Sequence, residues 1–171
     1  MNIFSQLSYT VQIVIVVGTL TTGLTPGGEA NAAPGHIQDA SHRLYDRVMD
    51  EFRHKDYEAA LAGFRFFLEI HGQSILASNA HYWMGECQYR MGRYKEALTA
   101  FYNVVSYYPL SQKLGASTLK IGQIYTKLGD KEKARMMYDR VLDQHPDSPE
   151  AEVARKALET AAARNDGTGL E

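Results

Sequence analysis

A repeat of 37 residues is the feature of this sequence that most constrains its fold. Ala60, Ala97 and Ala134 recur at that interval, each followed four residues later by an aromatic residue and seven residues later by an apolar one. Positions separated by four and seven residues lie on one face of a helix. Each unit is therefore expected to contain an amphipathic helix, which begins near Tyr57, Tyr94 and Lys131 respectively.

A second helix precedes this one in each unit. Gly85 and Gly122 lie inside apolar periodic runs, where glycine costs about 1 kcal/mol relative to alanine unless close packing requires it. Gly92 and Gly129 then follow, and glycine favours the left-handed turn that ends many helices. The sequence therefore predicts closely packed helical hairpins and an all-α fold.

Hairpins of about 34 residues with glycine, tyrosine, alanine and proline at these positions resemble the tetratricopeptide repeat (TPR). The units are 41–74, 78–111 and 115–148, and the first departs most, with Val48 and Lys55 at its glycine positions. Ser148-Pro149-Glu150 predicts the start of a capping helix over 149–163, followed by a flexible tail, 164–171. The expected fold is a TPR helical-hairpin solenoid of three repeats with a C-terminal capping helix.

Residues 1–32 differ from the rest of the chain and are typical of a signal peptide for secretion. An apolar run extends from Val11 to Val17, and Ala30-Asn31-Ala32 offers a small-x-small cleavage site. An uncleaved membrane anchor is the alternative, although the apolar core is shorter than the roughly 20 residues that span a bilayer. After cleavage, a short linker, 33–40, would precede the repeats, and no stable membrane span is expected.

Charge and cysteine content exclude several classes of function. The formal net charge is -2, without the basic excess that phosphate binding needs. The six histidines show no metal-ligand spacing, and no phosphate-binding glycine loop is present. The single cysteine, Cys87, cannot form an intramolecular disulfide and is expected to be buried and inert. We expect a protein that is not an enzyme and needs no cofactor or metal.

Several segments extend the resemblance to one family. His81-Tyr82-Trp83-Met84-Gly85-Glu86, Tyr94-Lys95-Glu96-Ala97 and Tyr108-Pro109 are similar to the C-terminal TPR domain of the periplasmic Tol-Pal system protein, the cell division coordinator that binds TolA. The similarity covers about residues 41–160. It implies a periplasmic location, a TolA-like partner and a role in coordinating outer-membrane constriction with peptidoglycan synthesis.

One departure from that family concerns oligomeric state. Its members usually carry a trimerising coiled coil between signal and repeats, whereas Ala33 to Ala40 are too few for two heptads.

The alternative function is a TPR scaffold of another envelope complex, for outer-membrane assembly or secretion, with a different client. The lipoprotein of the assembly machinery carries a lipid-bearing cysteine that this sequence lacks.

The TPR resemblance also implies where a partner protein would bind. Positions 2, 5, 9, 12 and 13 of each unit line the concave face in this fold. These positions hold His42, Tyr45, Met49, Phe52, Arg53, Asn79, Tyr82, Glu86, Tyr89, Arg90, Ala116, Leu119, Gln123, Thr126 and Lys127. Aromatic and basic side chains dominate, which suits a peptide with apolar anchors and some acidic groups.

Two of these assignments have a structural alternative. The column Arg53, Arg90 and Lys127 would also complement the dipoles of the first helices. Trp83 is expected to pack between helices rather than contact a ligand.

The alanine column gives a first testable prediction. Ala97→Leu should lower the free energy of unfolding by roughly 1 to 3 kcal/mol, because extra methyl groups overpack the helix contact. Thermal denaturation measures this loss. A melting temperature equal to that of the unchanged protein would contradict the predicted register.

Overall fold

The computed structural model describes residues 34–166, with side chains described from 40 to 163. Seven helices and no strand occur in that range. They are α1 (Pro34–Arg53), α2 (Tyr57–His71), α3 (Ala77–Arg90), α4 (Tyr94–Tyr107), α5 (Leu114–Leu128), α6 (Lys131–Gln144) and α7 (Pro149–Asp166). The predicted all-α fold is confirmed.

The second helices of the three hairpins, α2, α4 and α6, begin at the residues predicted from the repeat. Carboxylates cap two of them: Asp56 accepts a hydrogen bond from the backbone N–H of Ala59 at 3.1 Å, and Asp130 accepts one from Lys133 at 3.1 Å. These bonds satisfy donors that a helix start leaves free. Arg93 holds the equivalent position in the second hairpin, and it forms an ion pair with Glu58 on α2.

The turn inside each hairpin uses a left-handed residue. Gly92 and Gly129 have φ values of 75° and 78°, which confirms the predicted turn at both glycines. Lys55 adopts the same conformation in the first hairpin, with a φ of 64°. A side chain is disfavoured in this region, so the first turn stores strain that the other two lack.

Close contact between the two helices of a hairpin explains the glycines inside the first helices. A Cβ atom added to Gly85 would lie 2.7 Å from the ring of Phe101, and one added to Gly122 would lie 2.7 Å from the ring of Tyr138. The predicted close helix packing is therefore confirmed in the second and third hairpins.

The first hairpin reverses this arrangement. Val48 occupies the position of the glycine on the first helix, and Gly63 on α2 provides the space. A Cβ added to Gly63 would lie 2.7 Å from a methyl carbon of Val48. In this hairpin the small residue is on the second helix, and the two helices are again in close contact.

Packing is sequential along the array. Each helix packs against the next one along the chain, and α7 also contacts α5. The buried side chains form three clusters, centred on Phe64 and Phe67, on Phe101 and Ile121, and on Tyr138. Ala151 and Ala154 of α7 are fully buried against the third hairpin, so α7 closes the end of the array.

Two boundaries differ from the predicted ones. Residues 34–40, expected to be a linker, form the first part of α1, because proline at a first helical position has a suitable φ and gives up no intrahelical hydrogen bond. Helix α7 continues to Asp166, three residues beyond its predicted end. The predicted signal peptide, 1–32, and the end of the predicted tail, 167–171, lie outside the described residues. Within the described range, no helix combines the length and the apolar character needed to cross a bilayer.

The strained turn yields a stability prediction. Lys55→Gly should raise the free energy of unfolding by about 0.5–1 kcal/mol, since relief of the left-handed conformation outweighs the larger chain entropy of glycine. Chemical denaturation measures the gain. As a control, Arg65→Gly places glycine in the exposed interior of α2 and should cost about 1 kcal/mol. A loss of stability in both variants would contradict the strain assigned to the left-handed conformation of Lys55.

The contact between Gly63 and Val48 yields a second stability prediction. Gly63→Ala should destabilise the protein by roughly 1 to 3 kcal/mol through overpacking against Val48. Removing the two methyl groups with Val48→Ala should recover part of that loss in the double variant. Strictly additive losses in a double-mutant cycle would show that the two residues do not share the contact.

Candidate partner-binding groove

The first helices of the first two hairpins, α1 and α3, present a strip of aromatic side chains, which a lysine just before α5 extends. Phe52 of α1 packs against Trp83 of α3 with ring centroids 4.8 Å apart, and Trp83 meets Tyr82 at 5.2 Å. The ammonium of Lys113, just before α5, lies 4.9 Å from the centre of the Tyr82 ring and 5.5 Å from that of Trp83. Side chains from the first two hairpins and from the loop before α5 thus form one continuous row of contacts.

An ion cluster lies beside this strip. Glu86 is only 4% exposed, and its carboxylate lies 2.6 Å from the ammonium of Lys120 and 3.8 Å from the guanidinium of Arg90. Lys120 also lies 4.9 Å from the centre of the Tyr89 ring. The cluster joins α3 to α5, and it leaves the side chain of Arg90 53% exposed to solvent.

The residues at position 5 form the floor of this surface. Tyr45 packs against Phe64 and Phe67 of α2, both at 5.7 Å between ring centroids, and Tyr82 packs against Phe101 of α4 at 5.6 Å. Burial raises the pKa of Tyr45 to about 12 and also raises the pKa of Tyr82. Both hydroxyls therefore stay protonated and can donate hydrogen bonds at any physiological pH.

Two predicted contact residues lie below the surface and need correction. Glu86 is buried because Lys120 from the next repeat reaches its carboxylate, and Leu119 is 7% exposed because it packs into the cluster around Tyr138. Neither offers a partner much surface, and both support residues that do.

The other predicted residues remain accessible on this face. Half-buried are His42, Tyr45, Met49, Phe52, Asn79, Tyr82, Tyr89, Ala116 and Gln123, and exposed are Arg53, Arg90, Thr126 and Lys127. Contact of any of them with a partner stays a prediction. The half-buried residues supply apolar area on a rigid backing, and the exposed ones supply mostly positive charge.

Two lysines on this face were not among the predicted residues. Lys120 occupies the position in the third unit that Trp83 holds in the second, 37 residues earlier, and this column was not among the expected groove positions. Lys113 precedes α5. The column of Trp83 and Lys120 was readable from the repeat, whereas the placement of Lys113 over two rings required the structure. Trp83 contacts both α1 and its own helix neighbour, consistent with a packing role.

The described residues include few groups suited to catalysis. No group of three His, Cys, Asp or Glu side chains there could hold a metal ion. Cys87 is fully buried, and burial, reinforced by the charge of Glu86, raises its pKa to about 12. The thiolate that a nucleophile requires is therefore nearly absent at neutral pH.

Comparison with known families agrees with the hairpin geometry. Two family models, both described as Tetratricopeptide repeat, match residues 45–106 and residues 76–147. The described chain is a tetratricopeptide-repeat solenoid. In TPR arrays the first helices line the concave face, and we call the side chains on the corresponding face of α1, α3 and α5 the groove. No curated protein sequence matches the chain.

Solved structures with the same fold share little sequence with this TPR protein. The Arabidopsis OM64 TPR domain superposes with a TM-score of 0.60 at 14% identity, covering 72% of this chain and 98% of that one. The type III secretion chaperone SycD of Yersinia enterocolitica, in complex with a peptide of the translocator YopD, gives 0.64 at 16% identity, covering 74% and 95%. The second TPR domain of human RPAP3, in complex with an HSP70 peptide, gives 0.58 at 18%, covering 72% and 97%.

The ion cluster gives a prediction about the rigidity of the groove. Lys120→Met should lower the free energy of unfolding by roughly 3 kcal/mol, because it leaves the buried Glu86 carboxylate without its nearest cation. Adding Glu86→Gln should recover much of the loss. Denaturation of the two single variants and the double variant measures the coupling. Equal stability of Lys120→Met and the unchanged protein would contradict the role of this pair.

Proposed function

We propose that this TPR protein is a non-catalytic adaptor of the periplasm, which binds an extended or helical segment of a partner protein in the groove. The observation that carries the proposal is the continuous strip of Phe52, Trp83, Tyr82 and Lys113, built from two hairpins and the loop that leads into the third. Aromatic and arginine side chains on a rigid backing are the residues that dominate binding energy at protein interfaces. Aromatic side chains also lose little conformational entropy on binding.

The charges of the groove favour a segment with acidic groups between apolar anchors. Arg90 and Lys127 stand exposed at equivalent positions of neighbouring repeats, and Arg53 stands at that position in the first. The one acidic side chain at the centre, Glu86, is already neutralised by Lys120. An acidic residue of the partner would therefore meet positive potential at the rim and tyrosine hydroxyls below it.

Within the periplasm, we place the protein in the Tol-Pal system, with a TolA-like partner. The support is the sequence similarity over about residues 41–160, in particular the segment from His81 to Glu86. Several residues of that segment have physical tasks in the array: Tyr82 packs on Phe101, Trp83 packs α3 against α1, Gly85 allows the close helix contact, and Glu86 pairs with Lys120 of α5. A bare TPR does not require this segment, so the segment supports a likeness to that family beyond the repeat fold.

Capture of partners from envelope extract tests this proposal. The unchanged protein should recover Tol-Pal components, identified by mass spectrometry, and Tyr89→Ala/Arg90→Ala should lose them. The matched control is Arg65→Ala/Phe66→Ala, which removes a neighbouring arginine and aromatic pair from the exposed surface of α2. Circular dichroism verifies that both variants fold.

A calorimetric titration with the recovered partner then gives the size of the effect. The groove variant should bind at least about tenfold more weakly, and the α2 control should bind as the unchanged protein does. Equal affinity of all three proteins would contradict the groove. Recovery of a groove-dependent partner from another envelope complex would retain the adaptor function and overturn the Tol-Pal assignment.

A further inference from the structure

Two lysines beside the groove lie over tyrosine rings in the same way. The ammonium of Lys120 lies 4.9 Å from the centre of the Tyr89 ring. The ammonium of Lys113 lies 4.9 Å from the centre of the Tyr82 ring. Both lysines are half-buried, so water solvates their charges only in part. A ring face attracts an ammonium but does not neutralise its charge, so each lysine still needs a counter-ion.

The two lysines differ in that counter-ion. Lys120 lies 2.6 Å from the carboxylate of Glu86, which completes a stack of ring, ammonium and carboxylate. The ammonium of Lys113 lies 5.5 Å from a second ring, that of Trp83, and no carboxylate of the described residues is within ion-pair distance of it. Lys113 therefore has the ring half of the arrangement at Lys120 and lacks the carboxylate half.

One further acidic side chain of the chain itself acts near this lysine. Burial, the charge of Glu86 and the charge of Glu150 at the start of α7 raise the pKa of Tyr82. Within the part of the chain that the structure describes, Glu150 nevertheless forms no ion pair with Lys113. The chain thus gives Lys113 no counterpart of the carboxylate that neutralises Lys120.

We infer that Lys113, with the rings of Tyr82 and Trp83, forms a carboxylate-binding site in the groove. This inference rests on the proposed function, because the partner segment supplies the carboxylate. The carboxylate belongs to an Asp or Glu side chain of the segment or to its C-terminus, and both have the same chemistry toward an ammonium. The stack at Lys120 is the arrangement that the bound partner would complete at Lys113.

The rings beside Lys113 narrow the class of segment further. The ring of Trp83 continues into that of Phe52, with centroids 4.8 Å apart. An extended chain advances about 3.3–3.6 Å per residue, so a side chain one or two positions from the carboxylate reaches these rings. The site therefore selects a segment in which a large apolar residue lies one or two positions from a carboxylate.

Peptide selection supplies the probe for this site. Random short peptides are selected on the full chain from two libraries, one with both peptide ends joined to the carrier and one with free C-termini. Selected peptides that lack tryptophan are synthesised, and those from the first library are amidated at the C-terminus. Each is titrated into the protein while the fluorescence of Trp83, its only tryptophan, reports binding.

A cycle of variants then measures the pairing. Lys113→Met should weaken binding of a selected peptide at least about fivefold, because the carboxylate loses its cation. Conversion of the peptide's acidic residue, or of its free C-terminus, to the amide should weaken binding to the unchanged protein by a similar factor. The same conversion should have no further effect on Lys113→Met. Which conversion shows this coupling identifies the source of the carboxylate.

The matched control is Lys127→Met, which removes another lysine exposed on the same face. The peptide's carboxylate should contribute as much to binding in this variant as in the unchanged protein, and circular dichroism verifies that both variants fold. Independent losses from Lys113→Met and from each amide conversion would overturn the inference. A stability coupling between Lys113→Met and Glu150→Gln without peptide would also overturn it, because the chain's own carboxylate would then occupy the site.

Failure of the proposed function gives a different result. Peptides that bind equally well to Tyr89→Ala/Arg90→Ala and to the unchanged protein would contradict the groove itself. Peptides that depend on Tyr89 and Arg90 but show no coupling to Lys113 would retain the groove and overturn only the carboxylate site.

Discussion

The contact between a small residue on one helix and a large side chain on its partner is the constraint on which the rest of this structure depends. At Gly85 there is no space for a Cβ, since it would lie 2.7 Å from the ring of Phe101. The two helices therefore pack at one close distance, and Tyr82, one turn earlier, rests against the same ring. A constraint that concerns stability alone thus also fixes a tyrosine at the floor of the groove.

The first hairpin shows that the distance matters more than the identity of the residues. Val48 replaces the glycine of the other units, and Gly63 on the opposite helix supplies the missing space. Phe52 of α1 consequently packs at a tilt against Trp83 of α3. The groove consequently extends over all three hairpins, although the sequence of the first unit departs from the pattern of the other two.

The sequence predicted the features that repeat, and it failed where a contact depends on how two helices pack together, within one unit or between neighbouring units. The helix starts at Tyr57, Tyr94 and Lys131 follow from periodicity, and the left-handed turns follow from glycine. The burial of Glu86 was missed because the lysine that neutralises it comes from the next repeat. Gly63 was missed because its partner is visible only when α1 and α2 are packed together.

We propose that a partner segment lies on the face built by the first helices. A photoreactive amino acid at the position of Arg90 or of Met136 tests it most directly, since both side chains are exposed and they lie on a first helix and a second helix respectively. Irradiation of the complex with the captured partner should give a covalent adduct from position 90 and little from position 136. Strong crosslinking from position 136 with none from position 90 would contradict the account.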